Sequence, residues 1–268
     1  MLKDLNLPGI KGKKVVLTGA YGVFGVWIAE AFRDAGATLC LSGTKMEKLE
    51  AMAAKLKAPV DPLLITADLT REDDIVNLAN TVAEAWGAPD ILVNNAGVYK
   101  YDFLLDMPVS FFDSFMQINV RAPFLLSREM ARHMIRHKVK GSIVNISSGA
   151  SRKMRTTTVP YSVSKAALNR LTLGLALELA EYGIRANVVE PGFAAGSENN
   201  FISPDHIQST IDNIPLGRAS GPNDAPSAVL YLCSDAAAFI TGANIAVDGG
   251  NSIGSRAIYI DKKKPTSV

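Results

Sequence analysis

Short apolar runs alternate along the chain with longer segments in which apolar residues recur at helical spacing. Seven such runs lie at 14–18, 38–42, 62–66, 91–93, 142–146, 186–189 and 244–247. Runs of this kind are typical of strands buried on both faces of a parallel sheet. The helical segments lie at 26–32, 46–57, 71–86, 109–137, 161–182 and 223–234. The alternation predicts an α/β fold with a doubly wound, seven-stranded parallel sheet.

The chain has 268 residues and no linker rich in proline, glycine or serine, so we expect a single domain. Hydrophobic residues make up 48% of it and charged residues 20%, which suits a large core. Within the domain, 1–268, we expect a core at 13–250 and a C-terminal tail at 251–268. Stretch 193–222 shows no regular pattern and is expected to form an irregular, mobile substrate lid.

Composition excludes several classes of function. The net charge of +2 is close to neutral and does not indicate nucleic-acid binding, which usually requires a clustered basic face. Cys40 and Cys233 lie in apolar segments without metal-ligand spacing, so we expect reduced core cysteines and no metal site. No run approaches the ~20 apolar residues of a membrane span, and the first residues lack the apolar region of a signal peptide. These features predict a cytoplasmic protein that does not enter membranes.

A glycine-rich turn separates the first strand from the first helix. Gly19, Gly22 and Gly25 lie between the run at 14–18 and the helical segment at 26–32. Glycines let a backbone approach a pyrophosphate, and the N–H groups of a helix N-terminus favour negative charge. Such a turn is typical of the Rossmann fold, although a tight connection with no ligand is the alternative. We therefore look for agreement further along the chain.

Polar and glycine residues follow the carboxyl ends of several predicted strands. In doubly wound sheets ligands bind beyond those ends, so we expect these residues to share one face. They are Gly19–Gly25, Gly43, Thr44, Asp68, Asn94–Gly97, Ser148, Pro191 and Gly192. Asp68 by itself would also be an ordinary helix cap, and Asn119 by itself a local hydrogen bond.

Ser148, Tyr161 and Lys165 together indicate carbonyl chemistry. In a helix Tyr161 and Lys165 leave the same face. A free phenol has a pKa near ~10, and we expect the Lys165 ammonium to lower the pKa of Tyr161. Ser148 follows the strand at 142–146 and offers a hydroxyl to a carbonyl oxygen. The pattern is weak alone, since Tyr259 and Lys263 repeat its spacing in the tail.

Taken together, these residues resemble the short-chain dehydrogenase/reductase family, including its 3-oxoacyl-carrier-protein reductase-like members, from about Lys13 to Gly250. The matching motifs are Thr18-Gly19…Gly25, Asp68, Asn94-Asn95-Ala96-Gly97, Asn119, Ser148, Tyr161…Lys165, Pro191-Gly192 and Thr241-Gly242…Asp248-Gly249-Gly250. Some positions depart from the family's pattern: Val23 stands where its classical turn has glycine, and Gly196, followed by Ser197, where it often has threonine.

The resemblance implies an NAD(P)(H)-dependent oxidoreductase that interconverts a secondary alcohol and a ketone. It implies Tyr161 as acid/base, Ser148 polarising the carbonyl, Lys165 also holding the nicotinamide ribose, and Asn119 ordering a water. The implied cofactor-binding residues are Gly19, Gly22, Phe24, Gly25, Thr44, Lys45, Asp68, Leu69, Asn95, Ala96, Gly97, Tyr161, Lys165, Pro191, Gly192 and Ala194. A non-catalytic dinucleotide sensor, and an epimerase or dehydratase of the extended type suggested by the glycine spacing, are the alternatives.

The end of the second strand bears on cofactor choice. An enzyme selecting NAD commonly places a carboxylate there, on the ribose 2′-hydroxyl. Here Gly43, Thr44 and Lys45 bring no acid and one positive charge. The sequence therefore favours NADP(H), with NAD(H) as the alternative.

Three further expectations concern substrate and assembly. Apolar lid residues, among them Phe193, Phe201, Ile202 and Ile207, favour an uncharged, moderately hydrophobic alcohol or ketone. Arg152, Lys153 and Arg155 raise a second hypothesis, attraction of an acidic substrate or carrier, against a solvated loop or subunit contact. The family resemblance also implies a homotetramer or homodimer built through 109–137 and 160–182, with Tyr259 and Ile260 packing on a neighbouring subunit.

Overall fold

Seven parallel strands form one sheet in the computed structural model, which describes residues 7–195 and 203–254. The strands are β1 Lys14–Thr18, β2 Thr38–Gly43, β3 Leu63–Thr66, β4 Ile91–Asn94, β5 Ser142–Ile146, β6 Arg185–Pro191 and β7 Asn244–Val247. Their spatial order is β3-β2-β1-β4-β5-β6-β7, with every neighbouring pair parallel. The order reverses between β1 and β4, so the predicted doubly wound Rossmann sheet is confirmed.

Helices cover both faces of the sheet. They are α1 Val23–Asp34, α2 Met46–Leu56, α3 Glu72–Trp86, α4 Val109–Met116, α5 Ala122–Arg136, α6 Val159–Leu179, α7 Pro204–Asp212 and α8 Ala225–Cys233. Successive strand residues supply opposite cores. Val15 and Leu17 pack with α1 and α8, whereas Val16 packs with α3 and α5. Burial on both faces explains why the strands read as continuous apolar runs.

The predicted helical region at 109–137 is observed, with α4 and α5 joined through one π-helical turn, Gln117–Arg121. The prediction that 193–222 is irregular throughout was wrong. This stretch contains a regular helix, α7. Ser203 caps the start of α7 by accepting the His206 N–H, and Pro204 lies in its first turn. Serine followed by proline and an acid is a helix-start signal that the sequence reading missed.

Some sequence-based predictions fall on residues outside the described ranges. These are the roles of Gly196, Ser197, Phe201 and Ile202, and those of Tyr259, Ile260 and Lys263. Within the described ranges, no helix has both the length and the apolar character needed to cross a bilayer. No cluster of metal-ligating side chains occurs there either, and both cysteines are buried and unpaired.

Candidate active site

The glycine turn is closely packed where it meets the end of β4. Gly19 has a φ of +62°, and a Cβ there would lie 2.8 Å from the Ala96 Cα. A Cβ on Gly25 would lie 2.2 Å from the Gly19 carbonyl oxygen. Gly22 precedes α1, and no side chain caps the N–H groups of that helix. These N–H groups and the adjoining glycine backbone suit a pyrophosphate.

Asn95 and Thr18 hold this turn against β4. The Asn95 side-chain amide donates to the carbonyl oxygens of Thr18 and Gly19, each at 3.0 Å. The Thr18 hydroxyl oxygen accepts the backbone N–H groups of Asn95 at 3.1 Å and Ala96 at 3.0 Å. The amide of Asn95 therefore fixes the shape of the glycine turn.

A tyrosine that the sequence reading passed over lies at the end of β2. The Tyr21 hydroxyl accepts the Thr44 N–H at 3.0 Å and shares a hydrogen with the Thr44 hydroxyl at 2.7 Å. Its ring lies over Gly43, where a Cβ would come within 2.3 Å of a ring carbon. The Lys48 ammonium lies 5.6 Å from the ring centroid, and Lys45 is exposed immediately before α2. Position 43 therefore requires glycine, because any side chain there would collide with the Tyr21 ring.

Asp68 forms a local turn at the end of β3. Its carboxylate accepts the Thr70 N–H at 3.0 Å and the Thr70 hydroxyl at 2.8 Å, and these bonds lower the pKa of Asp68. Leu69, the next residue, packs against the core on the α3 side of the sheet. Asp68 is exposed, and because β3 pairs in parallel with β2, residues Asp68 and Thr44 follow the same edge of the sheet.

Ser148, Tyr161 and Lys165 meet at the end of β5. Tyr161 lies in the first turn of α6, which begins two residues earlier than expected, at Val159. Tyr99 packs edge-on against the Tyr161 ring at a centroid distance of 4.8 Å. Lys165 is only 4% exposed and donates to the Ile146 carbonyl at 2.8 Å. Its ammonium lies 5.8 Å from the Tyr161 ring centroid.

Burial dominates the protonation of this pair. It raises the pKa of Tyr161 to about 12, although a hydrogen bond with Ser148 acts in the opposite direction. It also lowers the pKa of Lys165 to about 8. The expectation of a lowered pKa for Tyr161 was therefore wrong for this structure, since removal of the phenol from water is the largest influence on it.

Asn119 lies inside the π-helical turn and is completely buried. Its side-chain oxygen accepts the Val98 N–H at 2.9 Å, and its amide donates to the Ser164 hydroxyl at 2.9 Å. A Cβ on Gly97 would lie 3.2 Å from that Asn119 oxygen and 3.5 Å from the Lys165 nitrogen. Because Gly97 has no side chain, both Asn119 and Lys165 can approach the end of β4.

A buried carboxylate, Glu190, ties the loop after Ser148 to the strands. It is inaccessible to solvent and accepts from Ser151 at 2.7 Å and from Arg152 Nε at 2.8 Å, with a second bond from Arg152 Nη2. Asn169 on α6 and Asn244 on β7 also donate to it, at 2.7 and 2.8 Å. Glu190 directly precedes Pro191, so one anion connects four segments around the site.

A cleft of about 390 Å³ opens above these residues. Eight predicted site residues line it: Gly22, Phe24, Gly97, Ser148, Tyr161, Pro191, Gly192 and Ala194. Lys165 and Asn119 are outside the lining but approach Gly97, which is part of it. Gly19, Gly25, Asn95 and Ala96 belong to the glycine turn and its contact with the end of β4. The remaining predicted residues, Thr44, Lys45, Asp68 and Leu69, follow β2 and β3. A third group of lining residues had no assigned role in the sequence reading: Val23, Tyr99, Ala150, Thr158, His206, Thr210, Asp248, Asn251 and Ser252.

Of these, Asp248 belongs to a motif that the family resemblance covers, whereas Tyr99 and His206 carry no sequence signal. A Cβ on Gly192 would lie 2.7 Å from the Asp248 Cα. The segment after β7 thus closes directly on the loop after β6.

Comparison with known proteins agrees with this geometry. Residues 19–252 match the family described as "Enoyl-(Acyl carrier protein) reductase". The 3-oxoacyl-[acyl-carrier-protein] reductase FabG of Aquifex aeolicus is 34% identical, over 90% of this chain and 98% of that protein.

Two solved structures share the fold. A short-chain type dehydrogenase/reductase from Mycobacterium marinum has a TM-score of 0.87 and 31% identity, over 93% of this chain and 99% of that one. The NADP active-site complex of RhlG from Pseudomonas aeruginosa has a TM-score of 0.85 and 31% identity, over 90% and 97% of the two chains. The sheet, the glycine turn and these matches together show that the chain belongs to the classical short-chain dehydrogenase/reductase family, whose oxidoreductases use NAD(P)(H).

Proposed function

We propose that this oxidoreductase interconverts a secondary alcohol and a ketone, with Tyr161 as the acid/base. The observation that carries the proposal is the meeting of Tyr161 and Ser148 on the wall of a cleft that Gly22 and Pro191–Ala194 also line. Ser148 donates to the carbonyl oxygen, so the oxygen is held beside the Tyr161 hydroxyl. The nicotinamide supplies or accepts the hydride.

The protonated Tyr161 can act as the acid of a ketone reduction. With a pKa of about 12, the phenol is protonated at neutral pH and can donate its proton to the ketone oxygen. Lys165 lies beneath the ring with its ammonium held by the Ile146 carbonyl. Its positive charge stabilises the phenolate left after proton transfer. In the proposed assignment Lys165 also holds the nicotinamide ribose, and Asn119 shapes the π-helical turn and orders a water.

The cofactor would lie along the open edge of the sheet. The proposed contacts run from the glycine turn, with Gly19, Gly22, Phe24 and Gly25, to the ends of β2, β3, β4 and β6. The residues at those ends are Thr44, Lys45, Asp68, Leu69, Asn95, Ala96, Gly97, Pro191, Gly192 and Ala194. RhlG, whose structure was solved with NADP, is among the relatives.

We favour NADP(H), with NAD(H) as the alternative. No carboxylate follows β2, and the side chains there are Thr44, Lys45 and Lys48. A 2′-phosphate would take the place of the Tyr21 oxygen as acceptor for the Thr44 N–H, and Tyr21 would then donate to the phosphate.

Three further assignments complete the proposal. Residues 193–222, including α7, act as the substrate lid, since Phe193, His206 and Thr210 line the cleft. The protein works in the cytoplasm, because Cys40 and Cys233 are unpaired. It forms a homotetramer or homodimer through the helices at 109–137 and 160–182, where Phe124, Leu173 and Leu177 are exposed.

Kinetics with a Tyr161→Phe variant test this function. A panel of ketones and secondary alcohols is followed by nicotinamide absorbance, and cofactor binding by fluorescence. We expect Tyr161→Phe to bind cofactor normally and to lose at least ~10²-fold in kcat. Tyr182→Phe, at a half-exposed position beyond the far end of α6, is the matched control and keeps full activity. Near-normal kcat for Tyr161→Phe would contradict the assignment.

A further inference from the structure

The three cations after Ser148 do not share one role. Arg152 is committed to the buried Glu190 carboxylate and does not line the cleft. Lys153 and Arg155, on either side of Met154, do line it, together with Ser148 and Tyr161. Lys153 and Arg155 are therefore available to a ligand in the cleft, whereas Arg152 has a structural role.

In the part of the chain that the structure describes, Lys153 and Arg155 donate their hydrogen bonds to neutral groups. The Lys153 ammonium donates to the backbone carbonyls of Asn251 and Gly254, both at 3.1 Å. The Arg155 guanidinium makes one long contact, 3.5 Å, to the Asn251 side-chain oxygen. Neither cation forms an ion pair with a carboxylate in residues 7–195 and 203–254. Each retains donors for a further acceptor, since an ammonium has three and a guanidinium five.

The carboxylate that lines the cleft, Asp248, is already occupied. Its oxygens accept the backbone N–H groups of Gly250 at 2.9 Å and Ser252 at 2.8 Å.

The positive charge of Arg155 also reaches the reactive end of the cleft. Burial is the main influence on Tyr99 and raises its pKa, whereas Arg155 acts to lower it. Tyr99 is the residue packed edge-on against Tyr161.

We propose that the substrate is an oxo acid whose carboxylate binds Lys153 and Arg155 while its ketone lies at Tyr161 and Ser148. This inference rests on the proposed alcohol/ketone function and specifies its substrate class. It replaces the uncharged substrate suggested by the apolar lid residues. The aromatic and aliphatic lining, Tyr99 and Phe193 among it, packs on the carbon chain between the two polar ends.

Matched acid and ester substrates test the inference. Oxo acids with one to four carbons between ketone and carboxylate are compared with their methyl esters, as kcat/KM at low and high salt. A charge-assisted hydrogen bond contributes a factor of about ten or more in binding. We expect the best acid to exceed its ester by about ten-fold or more, and this ratio to fall by about ten-fold in Lys153→Gln and Arg155→Gln.

Two control variants sharpen the comparison. Lys138→Gln removes an exposed charge between α5 and β5, at the opposite edge of the sheet, and keeps the wild-type ratio. Arg155→Lys restores part of the lost ratio because it restores charge. High salt lowers the rate with the acid more than with the ester.

The outcomes separate this inference from the function beneath it. A wild type that reduces esters as well as acids, or variants with an unchanged ratio, overturns the oxo-acid inference and leaves ketone reduction standing. A wild type that binds cofactor but reduces neither counts against the proposed function. Calorimetric binding of the same acid and ester to the wild type and both variants then decides the inference, which is overturned if the acid binds no tighter than the ester.

Discussion

Removing the Arg152 guanidinium should cost more stability than neutralising its partner. Glu190 is 0% exposed, whereas the side chain of Arg152 is 42% exposed. Arg152→Met leaves the buried Glu190 carboxylate without its cationic partner, although three neutral donors remain, Ser151, Asn169 and Asn244. Glu190→Gln leaves the Arg152 guanidinium without its anionic partner, but water already reaches that guanidinium. Among the described residues the Asn169 side-chain oxygen has no hydrogen-bond partner, so a flipped Asn169 amide can accept from the amide that Glu190→Gln introduces.

The magnitudes follow from this asymmetry. Breaking a fully buried pair costs ~3–5 kcal/mol, and the partial exposure of Arg152 reduces this to about 2–3 kcal/mol for Arg152→Met. We expect about 1 kcal/mol for Glu190→Gln. For a chain of this size the Arg152→Met cost corresponds to a Tm lower by about 5–10 °C.

The cost should also depend on pH. Burial acts to raise the pKa of Glu190, but hydrogen bonds from Arg152, Ser151, Asn244 and Asn169 outweigh it and lower the pKa. In the wild type this contribution to stability is present above the ordinary value of 4.5 and is lost as the pH falls below it. Arg152→Met removes the strongest of the lowering influences, so burial raises the pKa of Glu190. A raised carboxyl pKa makes the variant lose stability as the pH rises towards 7.

These stability differences are measured by thermal and urea unfolding between pH 5 and 8. The proteins compared are the wild type, both single variants and the double variant. The difference between wild type and Arg152→Met should widen from pH 5 to pH 7, and that for Glu190→Gln should stay constant. Coupling in the double-mutant cycle should exceed ~0.5 kcal/mol. An equal cost for the two single variants, or a pH-independent cost for Arg152→Met, would refute the reasoning.

Two further predictions concern the cofactor and assembly. Tyr21→Phe keeps the ring over Gly43 but removes the donor for a 2′-phosphate, so the ratio of kcat/KM for NADPH over NADH should fall by about ten-fold; an unchanged or higher ratio would contradict it. Exposed Phe124, Leu173 and Leu177 on α5 and α6 predict a dimer or tetramer by light scattering at micromolar concentration, and a monomer mass would contradict it.

The sequence by itself determined the architecture and the central polar residues of the site. Strands buried on both faces have to be short apolar runs, so β1 and β5 could be predicted residue for residue. Parallel strands also place their carboxyl ends on one edge, which is why Gly22, Gly97, Ser148 and Tyr161 could be expected around one cleft. These conclusions need only local periodicity and the rule for such sheets.

Only the tertiary structure decided how that site is held and charged. The contact of Tyr21 with Thr44, and that of Glu190 with Arg152, join residues far apart in the chain, and no local pattern encodes them. The same holds for the π-helical turn at Asn119, whose side chain is held by Val98 and Ser164.

The pKa of Tyr161 shows the physical reason most directly. Its neighbours in sequence predicted a lowered value, but the pKa is raised because the fold removes the phenol from water. Desolvation depends on which side chains the fold brings together. The different roles of Arg152, which pairs with Glu190, and Lys153, which lines the cleft, have the same origin. Sequence spacing places functional groups on the same face, whereas their protonation and their free charges are set by the surroundings that folding creates.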